Sequence, residues 1–180
     1  MPRDCCFVLI VDVQARLMPA IADGDEVLAN IDRLVRIARL LVVPVRATEH
    51  CADRIGATVP LLAARLNPME TLGKRHFDAT REETVKDALS GLARPVAVVA
   101  GVEAHVCVAQ TVLGLRRLGW RVAVAEDACG SRRTADREAG LVRLRAVGAI
   151  PVTVEALAFE WLETADHPDF REALAIVKER

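Results

Sequence analysis

The sequence predicts an α/β protein: one domain over residues 1–180, three layers in αβα order, built on a doubly wound, mostly parallel sheet of five or six strands. Two observations carry this. Apolar runs rich in Val and Ile recur as "CFVLIVDV", "LVVPVRA", "PVAVVAG", "RVAVAEDA" and "IPVTVE". Each is continuously apolar rather than alternating, the pattern of strands buried on both faces. Between them apolar residues fall at helical spacing, and a sheet covered on both sides needs helices on both sides.

In chain order, "CFVLIVDV" is the first strand. After Asp25, the positions Val27, Leu28, Ile31, Leu34, Val35, Ala38 and Leu41 form one buried helix face. "LVVPVRA" is the second strand, and "METLGKRHF" follows as an irregular stretch. The segments "TVKDALSGL", "HVCVAQTVLGLRRLGW" and "TADREAGLVRLRAVG" read as helices, with Gly91, Gly119 and Gly148 as their C-terminal stops. The late segment "VEALAFEWLE" places Phe159 and Trp161 among leucines where the sheet is already covered, which predicts an apolar surface shared with a second copy.

Composition narrows the function classes. A chain of 180 residues buries roughly 70% of the surface its unfolded form exposes. Its 24 basic and 25 acidic residues nearly cancel, so no electrostatic footprint points to nucleic acid or an anionic membrane, and a small molecule is the expected partner. Five scattered cysteines make a poor disulfide framework and suit a reducing compartment. The N-terminal apolar run is too short for a signal peptide and holds Asp12, and no stretch reaches the ~18 apolar residues of a membrane span. A cytoplasmic protein is expected.

In open α/β sheets ligands bind beyond the carboxyl ends of the strands. That filter keeps Asp12 and Gln14, Glu49 and His50, Lys74, Glu103 to Cys107, and Asp127. No G-x-G-x-x-G follows the first strand and no G-x-x-x-x-G-K-[ST] occurs, against a nucleotide enzyme; G-x-S-x-G is missing too. Cys107 has two readings, since free cysteines are among the most buried residues. In the first turn of a helix, however, a thiol sees the positive end of the dipole, which favours thiolate. A lysine would lower its pKa further, and a carboxylate could carry its proton away and return it to a leaving group. Lys74 and Asp12 are the candidates. Asp12 ends a central strand, where burying a charge costs several kcal/mol unless it is paired.

The blocks "VLIVDVQ", "LGKRHF" and "AVVAGVEAHVCVAQT", in that order, resemble the isochorismatase-like cysteine hydrolases, which include nicotinamidases and N-carbamoylsarcosine amidase. "TVPLL", "EDACGSR" and "FEWLETADHPDF" resemble the isochorismatase domain-containing subgroup. The resemblance implies a hydrolase of a small amide or related C–N acyl substrate, working through a thioester. Asp12 would be the acid or base, Lys74 its companion and Cys107 the nucleophile. It also implies a cis bond at Val102–Glu103, an oxyanion hole from the backbone N–H groups of Glu103 and Cys107, and a homo-oligomer, dimer or tetramer. Gln14, His76 and His105 stand beside these positions and are the candidates for touching substrate.

Departures from the family are equally specific. Nicotinamidases hold a divalent metal through an aspartate and histidines after the second strand, whereas this chain reads "RATEHCADRIG". Glu49, His50 and Cys51 are metal-capable, but neighbours in extended chain point apart, so no metal and no cofactor are expected. Ala104 stands where the family often has threonine. Cys129 and the pair Cys5 and Cys6 read as structural. Two other functions compete: a small-molecule-binding scaffold without turnover, and vinyl-ether hydrolysis, which needs no cysteine nucleophile.

Overall fold

Six parallel strands pair side by side in the order β3-β2-β1-β4-β5-β6 in this computed structural model, which describes residues 1–179. They are β1 (Cys6–Val11), β2 (Val45–His50), β3 (Thr71–Lys74), β4 (Val96–Val102), β5 (Arg121–Gly130) and β6 (Ile150–Val152). The helices are α1 (Gly24–Leu40), the single turns α2 (Ala52–Ile55) and α3 (Pro60–Ala63), then α4 (Glu83–Ser90), α5 (Ala109–Arg117), α6 (Thr134–Ala146), α7 (Val154–Leu162) and α8 (Phe170–Lys178). Among the described residues no helix is long and apolar enough to cross a membrane.

Every residue of β1 is buried because the strand serves two cores. Cys6, Val8 and Ile10 join α1, α7 and α8 on one face; Phe7, Leu9 and Val11 join α4, α5 and α6 on the other. This is the three-layer arrangement that continuously apolar strands demand. The chain steps outward from β1 through β2 to β3, then crosses back so that β4 lies on the other side of β1. That reversal opens a crevice at the carboxyl ends of β1 and β4, the usual ligand position in such sheets.

Several elements differ from the sequence reading. β3 occupies part of the stretch read as irregular: it is a short edge strand, so "TLGK" carries no apolar run. β2 starts at Val45 rather than Leu41, because Val42 turns outward with φ 58° and is 80% exposed. The run "IPVTVE" divides: Thr153 ends the strand and caps α7, its hydroxyl accepting from Ala156 N at 3.2 Å. Gly119 (φ 95°) and Gly148 (φ 79°) are left-handed stops, while Gly91 stays right-handed and the chain turns at Ala93 instead. Trp161 is not a surface residue: it is 1% exposed inside the α1–α7–α8 core, and only Phe159 stays half-exposed, against the ring of Phe170. The apolar character of that helix is therefore mostly consumed within the chain.

Gly101 controls how closely β4 meets β1. The pairing of β4 with β5 shifts register between Val99 and Gly101, where φ is +127°. A Cβ there would lie 2.1 Å from the carbonyl oxygen of Val11. Gly73 in β3, by contrast, has nothing within 4 Å of that position. Gly101→Ala should therefore lose about 3 kcal/mol of stability through overpacking and a disfavoured φ. Gly73→Ala should be neutral or slightly stabilising. Denaturant unfolding of the two variants measures the contrast.

Candidate active site

Three sequence-selected residues converge at the crevice. Asp12 follows β1 with φ 55° and is fully buried. Lys74 ends β3, and since β2 lies between β3 and β1, its side chain must cross the end of β2 to reach Asp12. It does so: Nζ lies 2.7 Å from Oδ2, with both side chains at or below 1% exposure. Nζ also donates to the carbonyl oxygen of His76 at 3.1 Å. Asp12 Oδ1 accepts the Thr48 hydroxyl at 2.7 Å. Asp12 Oδ2 makes its close approach to Lys74 outside hydrogen-bond geometry, so that oxygen retains accepting capacity.

Cys107 comes from the far side of the crevice, in a π-helical turn (Ala104–Val108) that leads into α5. The carbonyl of Glu103 accepts from the amides of Val106 at 3.1 Å and Val108 at 3.2 Å, passing over that of Cys107. The bond Val102–Glu103 is cis. The thiol is 7% exposed and in hydrogen-bonding contact with both Asp12 and Lys74. Its pKa is pushed up to about 12, first by burial and next by the charge of Asp12, with Lys74 pulling the other way. Burial and the Asp12 charge thus oppose the thiolate that the helix end and Lys74 favour. At rest the sulfur keeps its proton, beside a carboxylate able to accept it. Cys129 is raised to about 12 by burial as well, away from both charged partners.

Thr48 is the site residue that sequence reading missed. Its one signal is a hydroxyl beside the buried Val45 and Ala47 of β2, in register with Val11. Gln14, expected to contact substrate, is corrected: it is fully buried and its amide joins backbone to backbone. Nε2 donates to the carbonyls of His50 and Gly56, and Oε1 accepts from His50 N at 2.8 Å, so it ties the end of β1 to the loop after β2. His105 holds Ser131 Oγ at 3.1 Å through Nδ1, and Glu103 pairs with Arg132 at 2.8 Å. Asp127 accepts from Val154 N at 3.0 Å and fastens the start of α7.

The segment after Lys74 is pinned by Glu82. Its carboxylate accepts from the amides of Arg75 at 2.7 Å and His76 at 3.1 Å, and His76 Nδ1 lies 2.8 Å away. Those contacts, the two amides first, pull its pKa down to about 2.

The residues after β2 do not fit a metal. Glu49 turns to Thr58, accepting from its amide and hydroxyl at 2.6 and 2.7 Å. His50 stacks on Phe77 with ring centroids 5.2 Å apart, and burial followed by the Lys74 charge holds its pKa down. Cys51 sits at a left-handed corner. Among the described residues no three His, Cys, Asp or Glu side chains gather as a metal set.

The isochorismatase domain profile matches residues 6–156. The mouse isochorismatase domain-containing protein 2A is 33% identical over 174 residues, covering 96% of this chain and 82% of the mouse protein. Among solved structures, the MAR1 ribonuclease of Caenorhabditis elegans superposes with a TM-score of 0.93 at 29% identity, covering 99% of this chain and 92% of its own. YcaC from Pseudomonas aeruginosa, solved with hexane-2,5-diol and covalent acrylamide, gives 0.92 at 27%, covering 98% and 90%. The Escherichia coli YcaC product, described as an octameric hydrolase of unknown specificity, shares the fold at 0.88 and 24%, covering 97% and 94%.

Two outcomes follow from this geometry. Iodoacetamide at neutral pH should label the partly exposed Cys5 and Cys51 before Cys107, whose thiol is buried and holds its proton. A wild-type Cys107 that labels first would overturn the raised pKa. Glu82 contributes stability that is complete above its ordinary 4.5 and lost as pH falls toward about 2. Thermal melts of Glu82→Gln across that window should therefore show a flatter acid limb than wild type.

Proposed function

The chain belongs to the isochorismatase domain family, and from that premise we propose that it is a cysteine hydrolase of a small amide or related C–N acyl substrate. The observation that carries this reading is a buried Asp12–Lys74 ion pair facing a protonated Cys107 thiol. A scaffold needs no such arrangement, and vinyl-ether hydrolysis leaves the cysteine without a task. The Pseudomonas aeruginosa relative, solved with covalent acrylamide, agrees with a reactive nucleophile in a protein of this fold.

The chemistry follows the protons. Asp12 takes the thiol proton as Cys107 sulfur attacks the acyl carbon, so no free thiolate need persist at rest. The charge that develops on the carbonyl oxygen is met by the amides of Cys107 and Glu103, donors fixed before the reaction begins. Lys74 balances the carboxylate within the dry site and, through His76, fixes where it stands. Asp12 then delivers the proton to the departing amine, which leaves a thioester on Cys107. Asp12 next removes a proton from water as its oxygen attacks the thioester. The Cys107 sulfur leaves and takes that proton back from Asp12, and the acid is released with the thiol and carboxylate restored. No step uses a metal, and the side chains after β2 are committed elsewhere.

The chain is also proposed to form a homo-oligomer, in line with the octameric Escherichia coli relative. Light scattering at micromolar concentration reads this directly, and a monomer would refute it.

Activity gives the decisive test. Asp12→Asn keeps the shape but removes the base, and turnover should fall by ~10²-fold or more. Cys107→Ser should do at least as much damage, and exhaustive chelation none. With a panel of small carboxamides and activated esters quenched in acid, intact-mass measurement should find acyl adducts on Cys107 and none in Cys107→Ala. Binding without adduct or released acid would favour the scaffold instead.

A further inference from the structure

A cavity of about 320 Å³ is lined by Arg75, His76, Phe77, Arg81, Gln110 and Arg117, among others; Asp12, Lys74 and Cys107 are not in its wall. Two stretches of chain connect it to Lys74 and Cys107. Arg75 and His76 directly follow Lys74, whose ammonium holds the His76 carbonyl. Gln110 is one turn along from Cys107 on the helix that carries both. The volume is at the small end of ligand pockets, roughly 300–1,000 Å³.

The lining is cationic with one charge unspent. Asp78, the acidic residue of the wall, is already committed: it pairs with Arg117 at 2.7 Å and accepts from Thr80 N and Oγ1. Arg75 leans toward Asp53 at 3.4 Å. Arg81 makes no ion pair among the described residues. Opposite these groups Phe77 is 49% exposed and backed by the His50 ring, an apolar plate for which the chain itself supplies no cover.

We propose that this cavity receives the far end of the substrate, and that this end carries a carboxylate remote from the bond to be broken, which Arg81 binds while Phe77 packs on the intervening methylenes. This inference rests on the cysteine-hydrolase reading and adds the substrate class: acyl compounds bearing one distal anion. A bidentate, charge-assisted guanidinium–carboxylate contact confers about tenfold over a neutral terminus.

The test uses two esters of equal chain length, mono-p-nitrophenyl adipate and p-nitrophenyl hexanoate, with Cys107 acylation followed by intact mass. Wild type should be acylated at least about tenfold faster by the adipate, and Arg81→Gln, an exposed change that leaves the fold intact, should bring the ratio near one. Equal rates in wild type, or a preference that survives Arg81→Gln, would overturn the proposal while leaving the hydrolase reading standing. If neither ester acylates Cys107, the hydrolase reading fails instead. Calorimetry of adipate against Cys107→Ala, with and without Arg81→Gln, then decides the cavity alone. Binding lost with Arg81 upholds an anion site. No binding of adipate, or binding that survives Arg81→Gln, refutes the carboxylate assignment.

Discussion

The Asp12–Lys74 ion pair is the constraint around which the crevice is organised. Removing two charges from water costs several kcal/mol per ion, and the attraction between them recovers this only with good geometry and further hydrogen bonds. The surrounding structure supplies both. β2 stands between the two parent strands and contributes Thr48 to the carboxylate, while the His76 carbonyl receives the ammonium. The Glu82 carboxylate then holds the amides of Arg75 and His76, so the chain that presents this carbonyl is itself fixed. Such a pair is a poor device for stability alone, and it makes sense where a proton must be held and moved in a dry place.

The same burial decides the state of the nucleophile. A helix start and a lysine both favour thiolate, but Cys107 is deeply enclosed and faces the carboxylate as well as the ammonium. Enclosure wins, so reactivity depends on an acceptor within contact rather than on a standing anion. In the proposed reaction the division of labour is economical: Asp12 opposes ionisation at rest and would accept the proton once an electrophile arrives.

Legibility of the fold and site divides along burial. Asp12, Lys74 and Cys107 could be picked out because each is a reactive type placed just beyond or beside a strand end, where the topology gathers ligands. β1 and β4 were equally plain, since a strand covered on both faces must be apolar throughout. β3 was not, because an edge strand of four residues needs no apolar run. Thr48, to which the sequence assigns no role, serves the carboxylate, while the Gln14 amide near the site serves only backbone. No pattern in one dimension distinguishes these cases, because both depend on which neighbour the sheet order brings across. The height of the Cys107 pKa was hidden for the same reason, burial being a property of the folded surroundings.

The two-sided burial of β1 has a consequence for alignment. In a strand with one wet face, a slip of a single residue exposes apolar side chains and is strongly disfavoured. Between Cys6 and Val11 both alternating sets are apolar, so exchanging faces would expose nothing, and volume differences such as that of Phe7 offer the main apolar discrimination. What a slip could not preserve is the meeting of Asp12 with Thr48 and Lys74, or the bare contact of Gly101 with Val11. The buried charge of Asp12 therefore also acts as the index mark that sets the central strand in place.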